Sequence, residues 1–212
     1  MPKPILQLNE ATSFALAILS IALYFITAGA LRSLDPVYFV VIPVLAATTA
    51  IVPHELAHKY AGRSMGCFAR FVLDSRGFLL TSLINVALGL LSHVGLTFGA
   101  VFFSGYTYVS CPFVGFSAFR SPNYGVIKAV GPISNMVLAI AFGLASASAG
   151  FNAFLLTFFT QAAYLNAWVA FFNLLPFGPL DGRGVYEWNV AAWGALFIFS
   201  LVLSYLIPWY IG

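Results

Sequence analysis

The sequence predicts an α-helical polytopic membrane protein with about five full transmembrane helices, a partial or re-entrant helix and a small membrane-embedded β-sheet. Three observations predict it. Of 212 residues, 61% are hydrophobic and 7% charged, against about 25% charged in soluble domains. Several apolar runs approach the roughly 20 residues that carry a helix across a bilayer. The Lys and Arg residues lie between those runs or, like Lys128, near the end of one, where they act as topology markers. The net charge of +3 is spread without a basic cluster. That argues against nucleic acid as a partner and leaves the lipid bilayer as the surroundings of the chain.

Taken in order, the first run, Phe14 to Leu31, is long for a signal-peptide core and lacks a small-residue cleavage site, so it reads as the first span. The run Val37 to Ala57 lies in a second helix over 37–66. Gly77 to Leu91 and Val94 to Val109 are short, at 15 and 16 residues. The second of these leans toward strand through Thr97, Val101, Phe102, Phe103, Tyr106 and Tyr108. The segment 77–119 is therefore a partial helix followed by a sheet, which protein or a wet cavity must cover because lipid cannot pair its backbone. Helices over 126–149, 151–182 and 188–211 complete a single membrane-embedded domain over 1–212. No soluble appendage, low-complexity tract or internal repeat stands out.

Sidedness follows from the basic residues. With the N-terminus cytoplasmic, Lys3, Lys59, Arg63, Arg70, Arg76, Arg120, Lys128 and Arg183 lie inside and only Arg32 lies outside. This requires 67–123 to cross an even number of times, and the short runs favour zero. Cys67 and Cys111 have no CxxC spacing and are expected as free thiols. The tryptophans, Trp188, Trp193 and Trp209 among them, read as lipid-facing and interfacial.

An ionisable residue in a transmembrane run costs about 2.5–3.5 kcal/mol on insertion scales. Three sit together at the end of the second run: His54, Glu55 and His58. On a helix the i, i+4 spacing puts both imidazoles on one face, where they can bind zinc while Glu55 reaches a water. The alternative is a structural polar cluster. Catalytic zinc normally has three protein ligands. The candidates for the third are His93, Glu10, Asp35, Asp74, Asp181 and Glu187. Asp181 stands out, since Pro176, Gly178 and Pro179 break the helix before it and free backbone that only a protein-lined cavity tolerates. A helix-terminal carboxylate paired with Arg183 is the other reading of Asp181. His93 reads as an interhelical residue.

At these residues the chain resembles the site-2 proteases, the intramembrane zinc metalloproteases. His54-Glu55-Leu56-Ala57-His58 is similar to the family's zinc-binding helix, and Gly131-Pro132-Ile133-Ser134-Asn135 to its Gly-Pro-x-x-Asn motif. The stretch from Asn173 to Gly182 is similar to the segment whose Leu-Asp-Gly supplies the third ligand. The chain departs from familiar members in the 72 residues between His58 and Gly131, and has no room for a PDZ or CBS module.

The resemblance implies one Zn2+ per chain on His54, His58 and Asp181, and a transmembrane protein as substrate. Glu55 would be the general base. Asn173 would donate to the developing oxyanion, unless it bridges helices. Asn135 has two readings, contact with the water or substrate, and packing or capping. The rival class is a metal or proton transporter built on the same ligands. Clustering of the ligands toward one membrane face, with Glu55 beside them, speaks for the hydrolase.

Overall fold

The computed structural model describes residues 8–30, 33–96, 99–111 and 122–211. Lys3, Arg32 and Arg120 of the sidedness argument, and 112–119 of the expected sheet, lie outside them. In chain order the elements are α1 (Glu10–Gly29), α2 (Ile42–Ser64), β1 (Phe68–Leu73), α3 (Ser75–Leu91), β2 (Gly105–Ser110), α4 (Pro122–Ala147), α5 (Ala153–Asn173), α6 (Asp181–Trp188) and α7 (Val190–Ile211). A π-helical turn, Val37–Val41, leads into α2. Among the described residues six helices are long and apolar enough to cross a membrane, all but the short α6. The fold is that of a polytopic helical membrane protein.

Helices that share a bilayer gain little from burying apolar surface, so close contact between small side chains holds them. The interior shows this. Ala17, Ala22, Ala46, Ala47 and Ala50 from α1 and α2 pack with Ala162 and Leu165 of α5. A second cluster joins Ala129 and Ala139 of α4 to Ala163, Ala167 and Ala170 of α5 and to Leu203 and Ile207 of α7. α5 thus stands between two half-cores and gives one face to each.

The excursion between α2 and α4 differs from the sequence reading in three ways. The helix expected as partial begins at Ser75 and continues through a 3-10 turn to Val94, a 20-residue run long enough to span. The sheet has two antiparallel strands, and one of them, β1, precedes the segment expected to hold it. Within Val94 to Val109 only Gly105 onward is strand. Third-ligand helix 151–182 is likewise two helices: α5 ends at Asn173, and Asp181 opens α6.

Residues 99–104 return along α3 as extended chain, and buried side chains pair its backbone. The Asn85 amide donates to the Val101 carbonyl at 2.9 Å and accepts from the Val101 N–H at 2.8 Å, so one side chain substitutes for a neighbouring strand. Thr81 Oγ1 accepts from the Phe103 N–H, and Trp168 Nε1 donates to the Ala100 carbonyl. The buried residues of α3 are Gly77, Thr81, Asn85 and Gly89, a stripe spaced by four. A Cβ at Gly77 would overlap the Phe103 carbonyl oxygen, so the helix and the extended chain touch along this stripe.

Cys67 and Cys111 are joined in a disulfide across the open end of the sheet, where free thiols were expected. The bond became possible because Phe68 pairs with Ser110, which brings the flanking cysteines face to face. Two tryptophans also depart from their expected lipid-facing role. Trp193 donates to the Leu174 carbonyl at 2.8 Å, and the Trp188 ring packs against Gly125. The side chain of Trp209 lies outside the described residues.

Candidate metal centre

α2 carries His54, Glu55 and His58 on its buried face, each less than 5% exposed. The Nε2 atoms of His54 and His58 lie 3.1 Å apart, and Asp181 Oδ2 is 3.1 Å from the first and 2.9 Å from the second. For zinc with ligand distances of about 2.0–2.1 Å, tetrahedral geometry separates ligand atoms by about 3.3 Å. The observed triangle is close to that size. Among the described residues these are the three His, Cys, Asp or Glu side chains that converge in this manner.

The protons on the rings favour a cation. His58 Nδ1 faces the Ile127 carbonyl at 2.6 Å, and His54 Nδ1 faces Asn135 Oδ1 at 2.5 Å. Both partners are acceptors, so each Nδ1 carries the hydrogen and a neutral ring points its Nε2 lone pair into the triangle. Three acceptor atoms then face one another. A proton could bridge one pair of them, whereas a divalent cation satisfies all three. Held by such outer hydrogen bonds, the rings are fixed in tautomer and orientation, as in established zinc sites.

α4 supplies that outer layer at close range. A Cβ at Gly131 would overlap His58 Nε2, so only glycine lets this helix approach the imidazoles. Asn135, one helical turn on, is fully buried and anchored through its Nδ2 to the Ala50 carbonyl and Asn166 Oδ1. Its side chain lies on His54 and is not among the residues lining the cavity beside the triangle.

The cavity, about 70 Å³, is lined by Glu55, Thr107, Asn173 and Lys128 together with the three ligand candidates. Glu55 Oε2 accepts from the Thr107 hydroxyl at 2.7 Å, which fixes one carboxylate oxygen. Asn173 Nδ2 donates to the Val169 carbonyl within α5. His93 is elsewhere, with its Nε2 2.9 Å from the Thr27 carbonyl at the end of α1. Of the other acidic candidates, Glu10 pairs with Lys59, Glu187 with Arg183, and Asp35 accepts from the Val37 N–H, whereas Asp74 caps α3 and lines the cavity without joining the triangle.

Two residues were missed by the sequence reading. Thr107 reaches Glu55 only through the pairing of β2 with β1, which no local signal announces. Lys128 was taken as a topology marker, yet its Nζ is 3.0 Å from Asp181 Oδ1. A signal existed: Lys128, Gly131 and Asn135 fall at i, i+3 and i+7, on one face of a helix.

No family model matches the chain, and no solved structure matches it. A protein of Methanocaldococcus jannaschii with the name "Putative zinc metalloprotease" is 26% identical over 155 residues, which cover 72% of this chain and 73% of the relative.

Proposed function

We propose that the chain is a zinc-dependent intramembrane metalloprotease of the site-2 type, which hydrolyses peptide bonds in or near transmembrane segments of membrane proteins. One observation carries the reading. His54, His58 and Asp181 converge at ligand spacing in a buried cavity, beside a carboxylate free of the triangle, within a bundle of apolar spans. The similarity to the Methanocaldococcus jannaschii protein supports the hydrolase over a transporter. The charges Lys59, Arg63, Arg70 and Arg76 favour the cytoplasm for this end of α2, with the N-terminus on the same side, against the neighbouring Cys67–Cys111 disulfide, a bond that reducing compartments disfavour.

One Zn2+ per chain would be held by the three ligands and would supply Lewis acidity, which lowers the pKa of a water and polarises the scissile carbonyl. Glu55 takes a proton from the attacking water, whose oxygen bonds to the carbonyl carbon. When the C–N bond breaks, Glu55 returns that proton to the leaving amine. Thr107 keeps one Glu55 oxygen engaged and so presents the other. Asn173, on the cavity wall, donates to the carbonyl oxygen as negative charge develops there.

A helical peptide bond is wrapped by its own turn, so substrate must be extended before water can reach it. The outer edge of β1 is closed: Glu10, held by Lys59, accepts from the Phe71 N–H, and Arg63 donates to the Ala69 carbonyl. β2 instead lines the cavity through Gly105, Tyr106 and Thr107, and among the described residues no strand pairs with its other edge, to which an extended substrate could add.

The test uses purified protein in lipid nanodiscs with a transmembrane substrate. Cleavage should stop with a chelator and return with zinc, and Glu55→Gln should lose about 10²–10⁴-fold in rate while retaining the metal. Wild-type rates from Glu55→Gln would reject the base, and undiminished cleavage under chelation would reject the metalloprotease.

A further inference from the structure

Asp181 has two carboxylate oxygens, and the structure uses them differently. Oδ2 faces the two imidazoles, whereas Oδ1 is 3.0 Å from the ammonium of Lys128. Lys128 reaches this point from α4, on the helical face that also carries Gly131 and Asn135. Its stem passes α6 where Gly184 has no side chain: a Cβ there would lie 2.7 Å from Lys128 Cγ. Among the described residues that line the cavity, Lys128 is the one Lys or Arg. It also lines a larger hollow of about 370 Å³, with Arg183, Glu187 and Pro179. Lys128, Pro179 and Leu180 are thus common to the linings of both cavities.

We infer that Lys128 is a positioning residue for the metal, which occupies Asp181 Oδ1 and so limits this ligand to a single oxygen. The inference rests on the zinc reading above. A carboxylate with both oxygens free can turn to embrace an ion with both, which would crowd the position that water must use in a three-ligand site. The ammonium prevents that turn. It also sets a positive charge beside a site that holds two carboxylates, Asp181 and Glu55, and offsets their mutual repulsion. Asn135 on His54, the Ile127 carbonyl on His58 and Lys128 on Asp181 then form one layer, a partner from α4 for each ligand.

The experiment measures zinc affinity by competition with a chromophoric chelator, and zinc coordination by X-ray absorption, on detergent-purified protein. It compares wild type, Lys128→Gln, Lys128→Arg and Gly184→Ala. Lys128→Gln should bind zinc about 10–100-fold more weakly, the range seen when outer partners of metal ligands are removed. Its absorption spectrum should show an added oxygen neighbour. Lys128→Arg keeps charge and donors and should recover most of the affinity. Gly184→Ala, which displaces the lysine stem without touching its charge, should weaken binding by less than Lys128→Gln. Unchanged affinity and coordination in both Lys128→Gln and Gly184→Ala would overturn the positioning role while leaving the zinc site standing. Failure of wild type to bind zinc would instead overturn the reading on which the inference rests.

Discussion

The α2–α4–α6 region and the β1–α3–β2 excursion both bury polar side chains inside an apolar bundle, but they use them for opposite ends. Around the triangle, polar side chains meet one another: His54 with Asn135, Asp181 with Lys128, Glu55 with Thr107. In the excursion they meet backbone: Asn85 with Val101, Thr81 with Phe103, Trp168 with Ala100. A transmembrane helix satisfies its own backbone and can devote polar groups to a site. Extended chain at the same depth cannot, and must borrow side chains to do so. The excursion thus spends its polar groups on bringing β2, and with it Thr107, to the cavity wall.

The sharpest way to break the first region is through its closest approach. Gly131→Ala should abolish zinc binding and cleavage together, since the new methyl must displace His58 Nε2. Gly143→Ala, twelve residues along the same helix and open to within 4 Å, should leave both unchanged. Metal content and cleavage rate of the two variants check this pair.

The second region should fail as a fold before it fails as a site. Cross-linking Cys67 to Cys111 closes a loop over a sequence separation of 44, which loop entropy converts to about 4 kcal/mol. Reductant, or Cys67→Ser with Cys111→Ser, should therefore lower the unfolding midpoint by an amount that thermal melts in detergent will read. Asn85→Leu leaves the Val101 N–H and carbonyl without that partner, at about 1–3 kcal/mol for each group. The same melts should show a loss of about 2–6 kcal/mol, with zinc affinity near wild type. Loss of zinc in Asn85→Leu, with the melting point kept, would erase the distinction between the two regions.

The same contrast explains what was legible in the sequence. His54, Glu55 and His58 are local: three residues within one and a half turns announce their shared face. Asp181 could be singled out because proline and glycine mark the broken chain before it. Lys128 was within reach by the same helical periodicity, but a cation at a membrane boundary has an ordinary use that hid the special one. The excursion was read only in outline. Phe68–Leu73 is a strand because it pairs with Gly105–Ser110, more than thirty residues later, and the disulfide follows from that register. The stripe Gly77, Thr81, Asn85, Gly89 was visible as spacing, but its meaning depends on the extended chain that returns against it.

The most direct test of the account is zinc per chain after purification in wild type, Glu55→Gln, Asp181→Asn and the double variant His54→Ala, His58→Ala. The account predicts about one zinc in wild type and in Glu55→Gln, weakened binding in Asp181→Asn and none in the double variant, because three ligands leave none to spare. Stoichiometric zinc in the double variant, or unaltered affinity in Asp181→Asn, would contradict it.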